Sequence, residues 1–139
     1  MAVDLPTPFS FTNIFKLHAV VAFVFLLPVL NGGLKGFIET ITEGHLSQPD
    51  EWHMMVFGVD FVKNIMIFFQ CLAGVRMREP EQRMLAATFM FMTAAALLNM
   101  FLFPAGDRMP PMGVGYTVIM TWLYGAAFAQ KVDEGKKTK

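Results

Sequence analysis

Apolar residues run along this chain in four stretches, roughly residues 13–33, 53–75, 83–103 and 111–131, divided by short polar segments. A hydrocarbon core near 30 Å is crossed by about 20 mostly apolar helical residues. The pattern therefore predicts an all-α, integral membrane four-helix bundle, with residues 1–139 forming a single membrane domain. The first helix is expected to open at Thr12, a good N-cap, and to bend at Pro28. Asn31-Gly32-Gly33 is its weakest point. Beyond it, Leu34, Phe37, Ile38 and Ile41 recur at helical spacing among polar residues. They predict a continuation lying along the membrane interface and ending at Gly44.

Ser47, with Asp50 three residues on, has the spacing of a capping box for the second helix, and Pro49 suits its first turn. The polar turn from Arg76 to Arg83 contains Pro80, placed to begin the third helix. That helix is expected to end near Phe103-Pro104. Pro110-Pro111 then open a fourth, which runs out at Lys131.

Composition agrees with the membrane reading. Apolar residues make up 55%, charged residues only 16% and mean hydropathy is +0.48. A soluble domain carries about 25% charge. The formal net charge is zero, so nothing points to nucleic acid as a partner. Cys71 is the only cysteine, which excludes an internal disulfide and any CxxC redox or zinc pattern. Met1 to Asn13 lacks a basic n-region and a small-residue cleavage site, so the first apolar run is expected to be a structural helix.

Charge placement suggests an orientation. Arg76, Arg78 and Arg83 lie in the second loop, and Lys131, Lys136, Lys137 and Lys139 in the tail. Cationic residues gather on the cytoplasmic side of short loops. Both termini are then cytoplasmic, with Trp52 and Tyr116 as aromatic anchors at the opposite interface.

The second stretch carries ionisable residues. At about 100° per residue, His53, Asp60, Lys63, Asn64, Gln70, Cys71 and Gly74 fall on one side of the helix. An isolated Asp or Lys at the centre of a spanning helix costs roughly 2.5–3.5 kcal/mol. Asp60 and Lys63, three residues apart, are placed to reach one another and offset much of that cost. Two readings stand. One is a self-neutralised pair, with Asn64 and Gln70 bonding neighbouring helices. The other is an intramembrane polar site comprising His53, Asp60, Lys63, Asn64 and Gln70, with His53 at its mouth.

Small residues recur every fourth position on the fourth stretch, at Gly113, Thr117, Thr121, Gly125 and Ala129. Such a face lets helices approach closely, either within the bundle or against another membrane protein. His18 is expected near the cytoplasmic end of the first helix, far from His45 and His53, so the three histidines make no metal or bis-His haem site. Single-His ligation of a pigment stays open. No nucleophile–base pair, phosphate loop or hydrolase signature appears.

The chain ends Lys136-Lys137-Thr138-Lys139, which looks like a dilysine retrieval signal of endoplasmic reticulum membrane proteins or, equally, an ordinary positive-inside tail. With Phe57-Gly58, Cys71-Leu72 and Pro111-Met112-Gly113-Val114, the chain resembles the ergosterol biosynthetic protein 28 family through short matches over about half its length. The first helix and first loop depart from that family, and the Asp60, Lys63 pair has no counterpart in it. The resemblance implies a four-helix scaffold of the endoplasmic reticulum that tethers sterol-metabolising enzymes.

Three functions follow as expectations. The first is a non-catalytic membrane scaffold or accessory subunit, with the bilayer and other integral membrane proteins as partners. The second is a small membrane enzyme or carrier using Asp60, Lys63 and His53. The third is a subunit of an energy-transducing complex that bears a pigment, quinone or haem.

Overall fold

The hydroxyl of Ser10 accepts a hydrogen bond from the Asn13 backbone N–H at 3.2 Å and opens α1, Phe11–Leu26. This computed structural model describes residues 9–44, 46–102 and 111–134. After α1 come α2, Pro28–Ile41; α3, Glu51–Gly74; α4, Glu79–Leu102; and α5, Pro111–Glu134. No strand occurs among the described residues. The N-cap of α1 thus lies two residues before Thr12. Thr12 sits inside the helix, where its hydroxyl accepts from the Gln82 side-chain amide at 3.0 Å.

The first apolar stretch is not one straight helix. Its sixteen-residue first part is about 24 Å long at 1.5 Å per residue. At Pro28 the axis turns by 78° into α2, because proline offers no N–H to continue the ladder and its ring crowds the preceding turn. Gly33 breaks α2 again, with φ 58° and ψ −152°, a conformation that a side chain disfavours. Gly36 then lies over the Pro28 carbonyl, where an added Cβ would stand 2.9 Å from the oxygen. The double break turns α2 back against α3. Phe37 and Ile38 are fully buried, and the Phe37 ring meets Phe61 edge-on at 5.3 Å. The stretch expected along an interface is therefore packed on its neighbour at these positions. It closes with Glu43 at φ 54°, the Glu43 N–H on the Thr40 carbonyl and the Gly44 N–H on the Glu39 carbonyl. That is a Schellman ending with glutamate in the left-handed position.

Asp50, not Ser47, caps α3. Its carboxylate accepts the His53 N–H at 2.9 Å and bonds the His53 ring at 2.6 Å, which leaves Pro49 just outside the helix. Asp at this position wins because its charge also complements the N-terminal end of the helix dipole. Helix α4 starts at Glu79 with Pro80 in its first turn. Glu81 accepts from the backbone N–H of Arg78 at 3.0 Å and from its guanidinium at 2.8 Å.

Two pairs, α1 with α3 and α4 with α5, make most of the contacts, and α1 joins them. Phe11, Ile14, Phe15, Ala19 and Ala22 of α1 are buried among Cys71, Ala86, Phe89, Tyr124 and Ala127. Helices α3 and α4 touch little. They meet at their connecting turn, where Gln82 donates to the Gly74 carbonyl and Leu85 and Phe15 leave no room for a Cβ on Gly74.

The outward faces are apolar. On α3, Trp52, Met55, Val59, Val62, Met66 and Phe69 are all more than half exposed. Leu17, Val20 and Phe23 on α1, Phe91 and Leu98 on α4, and Val118, Ile119 and Trp122 on α5 are exposed as well. By length and composition, α3 is apolar enough to cross a membrane alone, and α1 with α2 qualifies only as the bent pair.

Gly36→Ala is expected to lower stability by about 1–3 kcal/mol, since a backbone carbonyl must move. Gly32→Ala meets open space and is expected to leave the thermal midpoint unchanged or slightly raised. Equal midpoints for the two variants would contradict the close approach at Pro28.

The His53 N–H, then its ring, hold the Asp50 carboxyl below its ordinary value of 3.8. A depressed folded value means that the cap contributes above the ordinary value and is lost as pH falls through the depressed one. Protection of the His53 N–H from hydrogen exchange, taken relative to its intrinsic rate, should therefore fall below about pH 4. Asp50→Asn should remove that dependence, and an identical pH response in the variant would refute the cap.

Candidate functional site

Eight residues into α1, His18 is 1% exposed. Burying an imidazole demands partners for both ring nitrogens, since an unmet polar group in an apolar setting costs about 1–3 kcal/mol. Both partners come from α5. The Tyr124 hydroxyl lies 2.7 Å from Nδ1 and the Tyr116 hydroxyl 2.6 Å from Nε2. The two tyrosines are eight residues apart, close to two helical turns, so both rings face α1. Phe89 packs against the imidazole at 5.2 Å, and Cys71 lies against the Tyr124 hydroxyl.

A neutral imidazole has one N–H and one bare nitrogen. With the proton on Nδ1, the ring donates to Tyr124 and Tyr116 donates to Nε2. With the proton on Nε2 the roles reverse, and the hydrogen of Tyr116 is released to point elsewhere. The Tyr116 hydroxyl thus acts as acceptor or donor according to the tautomer of His18.

What it faces is a cavity of about 420 Å³ between α3 and the α4–α5 pair. Its polar lining comes from His18, Asp60, Lys63, Asn64, Thr93 and Thr117, together with Tyr116, and the rest is largely apolar, including Phe25, Ile67, Phe89 and Met92. The scant contact between α3 and α4 leaves this space open on one side. Asp60 and Lys63 form an ion pair in it, with side chains 34% and 50% exposed. Asn64 donates to the Asp60 backbone carbonyl at 2.9 Å. The Thr93 and Thr121 hydroxyls meet at 2.8 Å across the α4–α5 contact.

The polar stripe divides when placed in the bundle. Asp60, Asn64, Cys71 and Gly74 turn inward, and Lys63 reaches the cavity from its edge. Gln70 is exposed beside Phe69 and is not part of the cavity lining. His53 also stands apart from it, bonded to Asp50 at the start of α3, so it forms no mouth for the site. On α5, Thr117 is buried, and it and Thr121 each donate to the carbonyl four residues back. An added Cβ at Gly113 or Gly125 meets nothing within 4 Å. Those glycines therefore mark no close helix approach among the described residues, and Gly113 instead lines the cavity. Lys136, Lys137 and His45 lie outside the described residues.

End-of-helix reasoning put His18 near the cytoplasmic end of the first helix and Tyr116 at the opposite interface, whereas the structure brings the two together. The missed signal is the spacing of Tyr116 and Tyr124 on one helix, matched to His18 in the largely apolar run Ile14–Leu27. No three His, Cys, Asp or Glu residues gather as metal ligands among the described residues. Both nitrogens of His18 are already engaged, so a pigment ligated there would first displace a tyrosine. Comparison with family models, curated proteins and solved structures finds no match for this chain.

Tyr124→Phe is expected to cost about 1–3 kcal/mol, because it strands a buried nitrogen of His18. Tyr116→Phe should cost less, since the cavity admits a substitute partner at Nε2. Thermal unfolding of the two variants under one set of conditions checks the order, and a Tyr124→Phe protein as stable as the parent would contradict the bridge.

Proposed function

We propose that this chain is a small integral membrane protein that works by binding, as a carrier or accessory subunit that takes up a neutral amphiphilic molecule from the bilayer between its helices. One observation carries the reading: ionisable and hydroxyl side chains converge on a single cavity within a bundle whose outward faces are apolar. Exposed apolar surface on this scale is a liability in water and is ordinary in lipid. A cavity of about 420 Å³ falls in the range of sites for small organic ligands, which run from about 300 to 1,000 Å³.

The charge of the lining selects the ligand class. Asp60 and Lys63 cancel, so a charged guest would enter a low-dielectric site with no counter-charge to spare. A hydroxyl or carbonyl head suits the site. Lys63 retains donors beyond the one used on Asp60, and Tyr116 serves as donor or acceptor through His18. The apolar lining and the open side accommodate the tail. Binding is favoured over catalysis because His18, the one buried base among the described residues, already has both nitrogens occupied. Tethering of other membrane proteins, as in a sterol-enzyme scaffold, draws less support: Thr117 and Thr121 of the small-residue stripe are spent on α4 and on the cavity.

Alkaline carbonate washing of membranes is expected to leave the protein in the pellet, whereas release into the wash would remove the membrane reading. Ligand class is read with tail-matched photoreactive alcohol, carboxylic acid and amine probes, applied to the protein in phosphatidylcholine nanodiscs. The alcohol should label the lining of α3, α4 and α5 saturably, with at least tenfold preference over the acid. Asp60→Asn leaves Lys63 unpaired and should shift that preference toward the acid. Labelling that never saturates, or that misses these helices, would refute the site.

A further inference from the structure

Lined by residues that the cavity does not use, a second groove of about 770 Å³ lies between α1 and α3. Its walls are mostly apolar, Val20, Phe23, Phe68 and Leu72 among them, and two cations, Lys16 and Arg76, also line it. We propose that this groove holds one anionic phospholipid, its phosphate between Lys16 and Arg76 and an acyl chain along Val20, Phe23, Phe68 and Leu72.

The two cations stand at the same end of the bundle. Lys16 lies in the second turn of α1, and Arg76 follows the C-terminal end of α3, the end that meets the start of α1 where Phe15 packs over Gly74. Neighbouring charges are already matched: Arg78 pairs with Glu81 at 2.8 Å and Arg83 with Glu79 at 3.2 Å. Lys16 and Arg76 have no acidic partner among the described residues. Two uncompensated cations beside an apolar trough call for an anion that carries its own hydrocarbon. A free phosphate would satisfy only the cationic end. A zwitterionic lipid would bring an ammonium group against Lys16 and Arg76. A lysine stem can cover apolar surface while its ammonium stays at the headgroup level, and basic pockets between helices suit anionic headgroups. The Phe23 and Phe68 rings, 5.8 Å apart and tilted, form one wall for a flexible chain.

The proposal rests on the membrane reading but not on the neutral-ligand cavity, which uses other residues. The test is native mass spectrometry of the detergent-solubilised full chain after equilibration with equimolar phosphatidylglycerol and phosphatidylcholine. The parent protein should retain one phosphatidylglycerol, enriched at least fivefold over phosphatidylcholine. Lys16→Gln with Arg76→Gln should abolish the enrichment. Val20→Trp, at a 60% exposed position, should block the trough and reduce retention at least fivefold with both charges in place. Lys63→Gln should change nothing, and glycerol phosphate at millimolar concentration should not displace the lipid. Circular dichroism of each variant confirms its helicity. Equal retention of the two lipids, or enrichment that survives the double substitution, would overturn the proposal. Enrichment lost in Lys63→Gln instead would place the lipid in the other cavity and overturn it equally. A chain that needs no detergent would fail earlier and visibly, through the membrane reading itself.

Discussion

The hydrogen-bonded bridge from Tyr116 through His18 to Tyr124 is the constraint on which the rest of the bundle depends. An imidazole with 1% exposure has only protein partners, and both come from α5. Its two bonds therefore set the rotation and axial position of α5 against α1. Phe89 closes the third side of the ring and brings α4 into the same arrangement. In a lipid setting hydrophobic burial drives little helix association, so packing and interhelical hydrogen bonds decide which helices meet. A bridge of two bonds to one neutral ring supplies specificity that apolar residues alone do not.

With α1, α4 and α5 fixed in this way, α3 lies on α1 and scarcely reaches α4. The space that remains is the cavity, and the polar residues of α3 border it. The bend at Pro28 and the break at Gly33 matter for the same reason. They fold α2 over the first half of α3, where Phe37 and Ile38 are buried, and Ile41 reaches the cavity wall. Without that turn, the open side between α3 and the α4–α5 pair would extend further. The ion pair of Asp60 and Lys63 is thus held in a partly enclosed, partly apolar setting.

Much of the helical layout is legible from periodicity, because spanning and core helices both demand long apolar runs. Helix ends are less so. Ser47 with Asp50 has the spacing of a capping box, yet Asp50 itself is the cap, through its bonds to the His53 N–H and ring. Asp60 with Lys63 could be read from spacing alone, since three residues on a helix are always neighbours. Gln70 could not, because it lies at the margin of the polar stripe, where a small rotation turns it outward beside Phe69. The bridge at His18 joins residues about a hundred positions apart, and no local rule signals such a contact. The glycines of α5 mislead for a related reason: a small-residue repeat marks a possible close approach, but the neighbouring helix must be there to use it.

The central claim is that apolar faces meet lipid while the polar groups of α3 look into a cavity. Spin labels on single cysteines at Val59, Met66 and Asn64, in a Cys71→Ala background reconstituted into vesicles, test it most directly. Relaxation by oxygen reports lipid contact, and relaxation by a water-soluble nickel complex reports aqueous contact. Val59 and Met66 are expected to be oxygen-rich and nickel-poor, with Asn64 shielded from oxygen relative to both. Strong nickel relaxation at Val59 and Met66, or an Asn64 label as open to oxygen as theirs, would contradict it.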